Sequence, residues 1–325
     1  MRILIKSHPS TETIMKTGKC GNHISGYHVF NHLQAWEKLG HEVHFTVGDY
    51  NYNNWDVLFF RGYNSFRPDI NDSIKMLQEF KGKKILYLEG LDEETNIGEY
   101  FDVIFIPELD STYNKWKEKY PTKDIRKIAW TSTEFEIIDT GKNPYPDKKF
   151  RSIYTGIYND RMLTMLNRLA LECEYIVLGG IYYDGKVCRG LGENEVKSLS
   201  PNMQIINNNI NPVCNRGLFE FGEHYPYLRY ADLAINLYAY NFEGSLSSKL
   251  IDYLTCGLPV VCEHTCPNRH RIDQYDAGIV VDWDNFDQLY RAIEKVKRLN
   301  YSKEGIQYAA RQVHNPITIC EEILK

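Results

Sequence analysis

The sequence predicts an α/β protein with two Rossmann-like domains whose parallel sheets face a central cleft. Strand and helix patterns alternate from the first residue onward, as they do where helices cover both faces of a parallel sheet. The 325 residues suit two domains, each large enough to bury its own core. The polar, turn-rich stretch Asp139–Asp147 is typical of a linker, so we expect domains at 1–145 and 146–305.

The first domain is predicted to open with a strand, a glycine-bearing loop and a helix. Arg2–Lys6 is an apolar strand, and the loop spans Gly18–Gly26. Apolar residues then recur at helical spacing over Tyr27–Leu39, and Gly40 ends that helix. Further strands are predicted at His41–Val47, Val57–Phe60, Lys84–Leu88 and Val103–Ile106.

The second domain repeats this alternation. Its predicted strands are Ser152–Thr155, Tyr175–Leu178, Met203–Ile206, Leu233–Tyr238, Pro259–Cys262 and Gly278–Val281. Its predicted helices are Arg161–Leu171, His224–Tyr230 and Phe286–Leu299, and Ser302–Lys325 contains one or two more. In such sheets ligands bind at the carboxyl ends of the strands, where the glycine-bearing loops fall.

Composition excludes several classes of protein. No apolar run is long enough for a transmembrane helix, and the N-terminus is too short for a signal peptide. The net charge of −5 disfavours a partnership with nucleic acid, although it does not exclude one, and peripheral membrane contact stays open. The eight cysteines are scattered without metal-ligand spacing, which favours a cytoplasmic protein with free thiols and no structural metal.

The most informative segment is Lys249–Val261, which predicts a helix ended by Gly257 and followed by a strand. Ser247 and Ser248 suit the N-cap, and a helix N-terminus with free N–H groups binds anions such as phosphate. Lys249 would add positive charge, and Asp252 would accept hydrogen bonds from sugar hydroxyls. The alternative is an ordinary helix whose Lys249 and Asp252 form a solvated pair.

This segment resembles the donor-binding signature of GT-B glycosyltransferases, especially the retaining family that contains sucrose and glycogen synthases. The direct matches are Lys249, Leu250, Tyr253, Leu254, Gly257, Pro259, Val260 and Val261. Asp252 stands where the family has glutamate. Many members have another glutamate eight residues earlier, where this chain has Gly244 with Glu243 beside it. The resemblance also implies that a C-terminal helix, 306–325, crosses back to the N-terminal domain.

The same resemblance assigns further donor-binding residues. Gly156, after the first strand of the second domain, and Arg161, at the following helix start, resemble the phosphate-binding half of the site. A plain turn with a surface arginine is the alternative. Gly179-Gly180 resembles the loop beside the nucleotide base, although a structural turn explains it nearly as well.

Candidate catalytic groups lie in the first domain. An inverting transferase needs a general base for the acceptor hydroxyl, and Glu89 and Asp92 follow a predicted strand at the carboxyl edge of the sheet. His23 in the glycine-bearing loop is a third candidate. A retaining transferase needs no such base. The run Asp282-Trp283-Asp284 is reminiscent of a D-x-D metal site, but that motif belongs to a different nucleotide-sugar fold.

A weaker resemblance, in the order of segments, is to the DNA β-glucosyltransferases of T-even phages. We therefore expect a cytoplasmic hexosyltransferase that uses a UDP- or GDP-sugar, without a tightly bound cofactor or metal, and transfers to a glycan hydroxyl. Hydroxymethylated DNA is an alternative acceptor. A UDP-GlcNAc epimerase or a non-catalytic binding module of the same fold would also fit the sequence.

Overall fold

The computed structural model describes residues 1–6, 24–46, 54–62, 66, 69–88, 96–172, 174–206, 208, 210–211, 216–217, 222–238 and 246–325. The chain divides into two compact units. The first comprises Met1–Glu134, Gly244–Leu246 and His314–Lys325, and the second comprises Phe135–Glu243 and Ser247–Val313. The N-terminal segment of the first unit thus ends before the turn-rich stretch that suggested the domain boundary.

The first unit is built around six parallel strands. Its elements are β1 (Arg2–Lys6), α1 (Ile24–Lys38), β2 (Glu42–Thr46), β3 (Val57–Arg61), α2 (Ile70–Glu79), β4 (Lys83–Tyr87), a 3₁₀ turn (Asn96–Tyr100), β5 (Val103–Pro107), α3 (Asp110–Lys119) and β6 (Asp124–Ile128). The strand order is β2-β1-β3-β4-β5-β6. Because helices cover both faces, the central strands are nearly continuous apolar runs. In β1, for example, Ile3 and Ile5 face one core while Leu4 faces the other.

The second unit contains the remaining elements but one. They are α4 (Phe135–Ile138), β7 (Arg151–Tyr158), α5 (Asp160–Leu171), β8 (Tyr175–Tyr183), β9 (Cys188–Arg189), α6 (Glu193–Lys197), β10 (Met203–Ile206), β11 (Ile210–Asn211), β12 (Arg216–Gly217), α7 (Tyr225–Arg229), β13 (Leu233–Asn236), α8 (Ser248–Thr255), β14 (Val260–Glu263), α9 (His270–Gln274), β15 (Gly278–Val281), α10 (Phe286–Arg298) and α11 (Lys303–Val313).

The main sheet of the second unit has the order β10-β8-β7-β13-β14-β15, with all six strands parallel. The short β9 pairs antiparallel with the C-terminal end of β8. From β7 the chain first builds outward through β8 and β10, and then continues on the other side with β13. This is the Rossmann order, and its switch point lies between β7 and β13.

The last helix, α12 (Pro316–Leu324), belongs to the first unit. Its Ile319 and Ile323 pack in the same core as Trp36 of α1. The indole Nε1 of Trp36 also donates to the carbonyl oxygen of Cys320 at 3.0 Å. Among the described residues, no helix is both long and apolar enough to span a bilayer.

The predicted class, α/β with two parallel sheets, is confirmed. Two details differ. The sequence prediction omitted β6, and it ended the strands β7 and β8 before Gly156 and Gly179-Gly180, whereas both strands continue through these glycines. The predicted loop at Gly179-Gly180 is therefore wrong. A Cβ on Gly180 would lie 1.8 Å from the carbonyl oxygen of Gly156, so glycine here allows β7 and β8 to pair closely.

Candidate functional site

The helix α8 has the capping that its sequence predicts. Ser247 is the N-cap, with an extended backbone and a hydroxyl that accepts from the Leu250 N–H at 3.3 Å. Gly257 ends the helix with a φ of 79°, and a Cβ there would lie 2.5 Å from the carbonyl oxygen of Lys303. Leu250 and Leu254 are fully buried and fix the helix on the sheet. The N–H groups of its first turn form a partial positive charge.

The Lys249 side chain extends from this first turn to the switch point of the sheet. Its Nζ donates to the Tyr154 hydroxyl at 3.2 Å and to the Leu237 carbonyl at 3.3 Å. The ammonium also lies over two aromatic rings, 4.8 Å from the centre of Tyr154 and 5.3 Å from that of Tyr238. Burial lowers the pKa of Lys249 from 10.5 to about 8. Among the described residues, no carboxylate forms an ion pair with it.

Gly156 lies beside Lys249 near the end of β7. Its φ of 116° is in the region that favours glycine, and a Cβ would lie 3.6 Å from Cδ of Lys249. Tyr253 of α8 fixes this part of the strand, because its hydroxyl accepts from the Thr155 N–H at 2.9 Å. A lysine ammonium, an exposed stretch of backbone and a helix N-terminus therefore converge at the carboxyl ends of β7 and β13.

Asp252 lies one turn deeper in α8 and points to α7. Its carboxylate accepts from the Tyr225 hydroxyl at 3.0 Å. Burial raises the pKa of Asp252 from 3.8 to about 7, and the hydrogen bond from Tyr225 opposes that shift. Lys249 and Asp252 thus contact different strands and helices, and the structure does not support the alternative of a solvated pair between them.

Arg161 forms a buried ion pair that the sequence did not indicate. Its two terminal nitrogens donate to the carboxylate of Glu263 at 2.7 and 2.9 Å, and one also donates to the Tyr238 carbonyl. Glu263, at the end of β14, is only 1% exposed and also accepts from the backbone N–H groups of Tyr238 and Asp284. The guanidinium lies 4.7 Å from the ring centre of Trp283.

This pair changes the interpretation of Arg161. Its charge is balanced by Glu263, and the guanidinium links the start of α5 to the ends of β13 and β14. The geometry is therefore that of a residue that fixes the shape of the carboxyl edge, whereas Lys249 has no carboxylate partner in the described part of the chain. The phosphate-binding role of Arg161 stays a prediction.

The other predicted residues fall into two groups. Ser247 and Ser248 lie at the N-terminus of α8, and Gly179 and Gly180 lie within β8. His23, Glu89, Asp92 and Glu243 lie outside the described residues. Asp284 of the Asp282-Trp283-Asp284 run approaches Arg161 at 3.3 Å. In the described part of the chain, no group of three or more His, Cys, Asp or Glu side chains is suited to hold a metal.

Sequence reasoning missed Tyr154, Tyr238 and Glu263. The signal for Glu263 was present, since an acidic residue directly after the apolar strand must lie at the carboxyl edge of a parallel sheet. Tyr154 was harder to predict as a residue of the site. A tyrosine within an apolar strand is typical of a core residue, and nothing in the sequence pairs it with Lys249.

Comparison with known proteins identifies the fold. Neither a protein-family model nor a curated protein sequence matches the chain. Sucrose-phosphate synthase from Thermosynechococcus elongatus aligns with a TM-score of 0.70 at 10% identity, over 99% of this chain and 96% of that one. Anabaena Alr3699/HepE, solved with UDP and glucose, aligns with a TM-score of 0.66 at 10% identity, over 100% and 98%.

A more distant structure is UDP-GlcNAc 2-epimerase from Methanocaldococcus jannaschii, with a TM-score of 0.54 at 10% identity over 98% of this chain and 99% of that one. Identities this low show a common fold and leave the reaction open. Three observations lead to the same conclusion about the fold. They are the two parallel sheets, the Rossmann strand order of the second sheet, and these alignments. The chain has the GT-B fold of nucleotide-sugar glycosyltransferases.

Proposed function

We propose that this protein is a glycosyltransferase that moves a sugar from a UDP- or GDP-sugar to an acceptor hydroxyl, most simply on a glycan. The observation that carries the proposal is the position of Lys249. Its ammonium lies at the switch point between β7 and β13, beside Gly156 and on the first turn of α8. Helix N-termini and lysine side chains at such points are suited to hold a diphosphate.

The chemistry of transfer requires neutralisation of the leaving group. When the bond from the sugar to the diphosphate breaks, negative charge grows on the phosphate oxygens. Lys249 and the N-terminus of α8 would stabilise that charge, and Gly156 would let the phosphates approach the backbone. Asp252, when ionised, would accept hydrogen bonds from hydroxyl groups of the donor. In this proposal Arg161, Gly179 and Gly180 shape the donor site, Ser247 and Ser248 lie at its phosphate end, and Glu243 remains a candidate for the acid that contacts the sugar.

The second unit would therefore hold the donor, and the first unit would hold the acceptor. Glu89, Asp92 and His23 remain the candidates for the general base of an inverting reaction. In a retaining reaction the departing phosphate would accept the proton of the acceptor hydroxyl instead. The structure of HepE with UDP and glucose favours UDP as the first nucleotide to test.

The first experiment is a thermal-shift screen of the protein with UDP, GDP, ADP, CMP and their sugar conjugates. At a hundred times the dissociation constant, a ligand adds about 2.7 kcal/mol to the free energy of unfolding. A nucleotide that binds will therefore raise the melting temperature by several degrees. The matching nucleotide sugar is then incubated with glycan and hydroxymethylated-DNA acceptors, and nucleotide release is measured. If none of the nucleotides raises the melting temperature, the proposal is wrong.

An epimerase is the second candidate, because the epimerase of Methanocaldococcus jannaschii has the same fold. An epimerase converts the nucleotide sugar without an acceptor, whereas a transferase needs one. Incubation of the protein with UDP-GlcNAc alone separates the two. A changed sugar on intact UDP would establish the epimerase, and acceptor-dependent release of UDP would establish the transferase.

A further inference from the structure

Two cysteines at the end of β14 form a buried pair. Cys262 and Cys266 are both inaccessible to solvent, and each thiol donates to a nearby oxygen, Cys262 to the Glu263 carbonyl at 3.3 Å and Cys266 to the Asn268 side chain at 3.2 Å. The amide nitrogen of Asn236, at the end of β13, donates to both sulfur atoms, at 3.2 Å to Cys262 and 3.4 Å to Cys266. The two sulfur atoms thus lie on the same amide group and share it as a donor. The proposed transfer reaction uses neither of them.

This pair is connected to the start of α8. Asn236 accepts from the hydroxyl of the N-cap residue Ser247 at 3.4 Å, and the Cys266 thiol donates to the side-chain oxygen of Asn268 at 3.2 Å. Asn268 in turn binds both backbone groups of Ser247, its N–H and its carbonyl, each at 3.2 Å. Asn236, Ser247 and Asn268 are all buried. The thiols therefore belong to the network that fixes the first turn of α8.

The two thiols are chemically unequal. Burial raises the pKa of Cys262 well above its usual value. Burial acts in the same direction on Cys266, but the neighbouring Cys262, the Tyr238 hydroxyl and the Asn268 backbone, with the charge of Lys249, lower its pKa below the usual value. The Tyr238 hydroxyl donates to the Cys266 sulfur at 3.4 Å. Cys266 has the surroundings of a reactive thiolate, and Cys262 is placed to resolve its oxidised form.

We propose that Cys262 and Cys266 form a reversible disulfide when hydrogen peroxide oxidises the protein, and that the disulfide weakens the binding of nucleotide at α8. In the first step the Cys266 thiolate attacks the peroxide, the O–O bond breaks, and a sulfenic acid and water form once a proton is taken up. In the second step the Cys262 sulfur attacks the sulfenic sulfur, and a second water leaves. Two thiols are oxidised and one peroxide is reduced.

The consequence follows from the hydrogen bonds that are lost. A disulfide has no S–H, so the side-chain oxygen of Asn268 loses one of its two donors and keeps only the Ser247 N–H, and the loop from Glu263 to Cys266 must adjust to the new bond. Asn268 then holds Ser247 less firmly, and the first turn of α8 loosens together with Lys249. Peroxide is about the size of water and reaches the pair through local opening of the first turn of α8, where Ser248 is half-exposed. The effect on nucleotide binding rests on the proposed function.

The test treats the full-length protein with hydrogen peroxide and then with dithiothreitol. We expect a mass lower by two hydrogens, a peptide map that links Cys262 to Cys266, and faster amide hydrogen exchange over Ser247–Thr255, all reversed by reduction. UDP should bind roughly tenfold more weakly to the oxidised form. Cys262→Ser should instead yield a sulfenic acid at Cys266 that dimedone traps. Cys188→Ser, which removes a half-exposed thiol elsewhere, should behave as the wild type.

The outcomes separate this inference from the proposed function. Peroxide treatment that yields no link between Cys262 and Cys266 overturns the inference, as does a link that leaves hydrogen exchange over α8 unchanged. If the reduced protein fails to bind UDP or any other nucleotide of the screen, the proposed function fails. In that case, the link between Cys262 and Cys266 and the amide hydrogen exchange of α8 still test whether the two thiols form a disulfide that loosens this helix.

Discussion

Lys249 and Tyr154 are joined in two ways, since the ammonium donates to the tyrosine hydroxyl at 3.2 Å and lies 4.8 Å from the centre of the ring. The two residues come from α8 and β7, and their contact brings the positive charge to the switch point of the second sheet. A lysine in these surroundings holds its proton less firmly than a solvated one, and its pKa is about 8. A bound phosphate would reverse that shift, because an adjacent negative charge favours the ammonium.

The first prediction is that nucleotide binding takes up protons at mildly alkaline pH. At a pH near 8 about half of the Lys249 side chains are neutral, so binding of UDP should take up about half a proton. Calorimetric titrations in two buffers of different ionisation enthalpy measure this number. Lys249→Met should abolish the uptake, and Lys295→Met, at an exposed site on α10, should keep it. Equal binding enthalpies in the two buffers would contradict the assignment of Lys249.

The second prediction concerns the pH dependence of stability. The pKa of Asp252 is about 7 in the folded protein and near 3.8 in the unfolded chain. Between these values the folded state holds a proton that the unfolded state has lost, so the stabilisation is complete below about pH 4 and is lost as the pH rises toward 7. As the pH rises from about 4 to 7, this difference in protonation at Asp252 should lower the free energy of unfolding by up to about 1.4 kcal/mol per pH unit.

Urea denaturation of Asp252→Asn across this range should give a flatter pH profile than that of the wild type. Asp273→Asn, at an exposed carboxylate on α9, provides the matched control and should retain the wild-type profile. The same profile for Asp252→Asn and wild type would show that Asp252 ionises freely. If Asp252→Asn also binds nucleotide sugar and turns it over like the wild type, Asp252 has no part in the donor site.

The third prediction is that the pair of Arg161 and Glu263 is structural. Arg161→Met leaves the Glu263 carboxylate buried without its cation and should lower the free energy of unfolding by about 3–5 kcal/mol. Adding Glu263→Gln should recover part of that loss, and the double-mutant cycle gives the coupling energy. Lys197→Met breaks an exposed pair with Glu193 and should have little effect. A negligible loss in Arg161→Met would mean that the ion pair does not form in solution.

Much of the fold could be predicted from the sequence because strands in parallel sheets are apolar on both faces. The helix α8 was predictable in detail, since Ser247 and Gly257 are residues whose chemistry specifies a helix end. The strand β6 was not predicted, because its charged residues are those of a half-exposed strand at the sheet edge. Gly179 and Gly180 indicated a turn, whereas the close pairing of β7 with β8 requires glycine within the strand.

The candidate site was less predictable than the fold. The sequence identified Lys249 and Asp252 by their spacing on one helix, but their partners, Tyr154 and Tyr225, lie 95 and 27 residues away. The pairing of Arg161 with Glu263 spans 102 residues and depends on how β14 lies relative to α5. Contacts at such separations are set by the packing of the whole unit, which spacing along the chain does not encode.

The central claim is that Lys249 and the N-terminus of α8 hold the phosphates of a nucleotide. Calorimetric titration of UDP and GDP into the wild type, Lys249→Met and Lys295→Met near pH 7 tests this claim most directly. We predict that one nucleotide binds the wild type and Lys295→Met equally, and binds Lys249→Met at least about tenfold more weakly, a loss of about 1.4 kcal/mol or more. Equal affinity for Lys249→Met, or no binding of either nucleotide to the wild type, would contradict the claim.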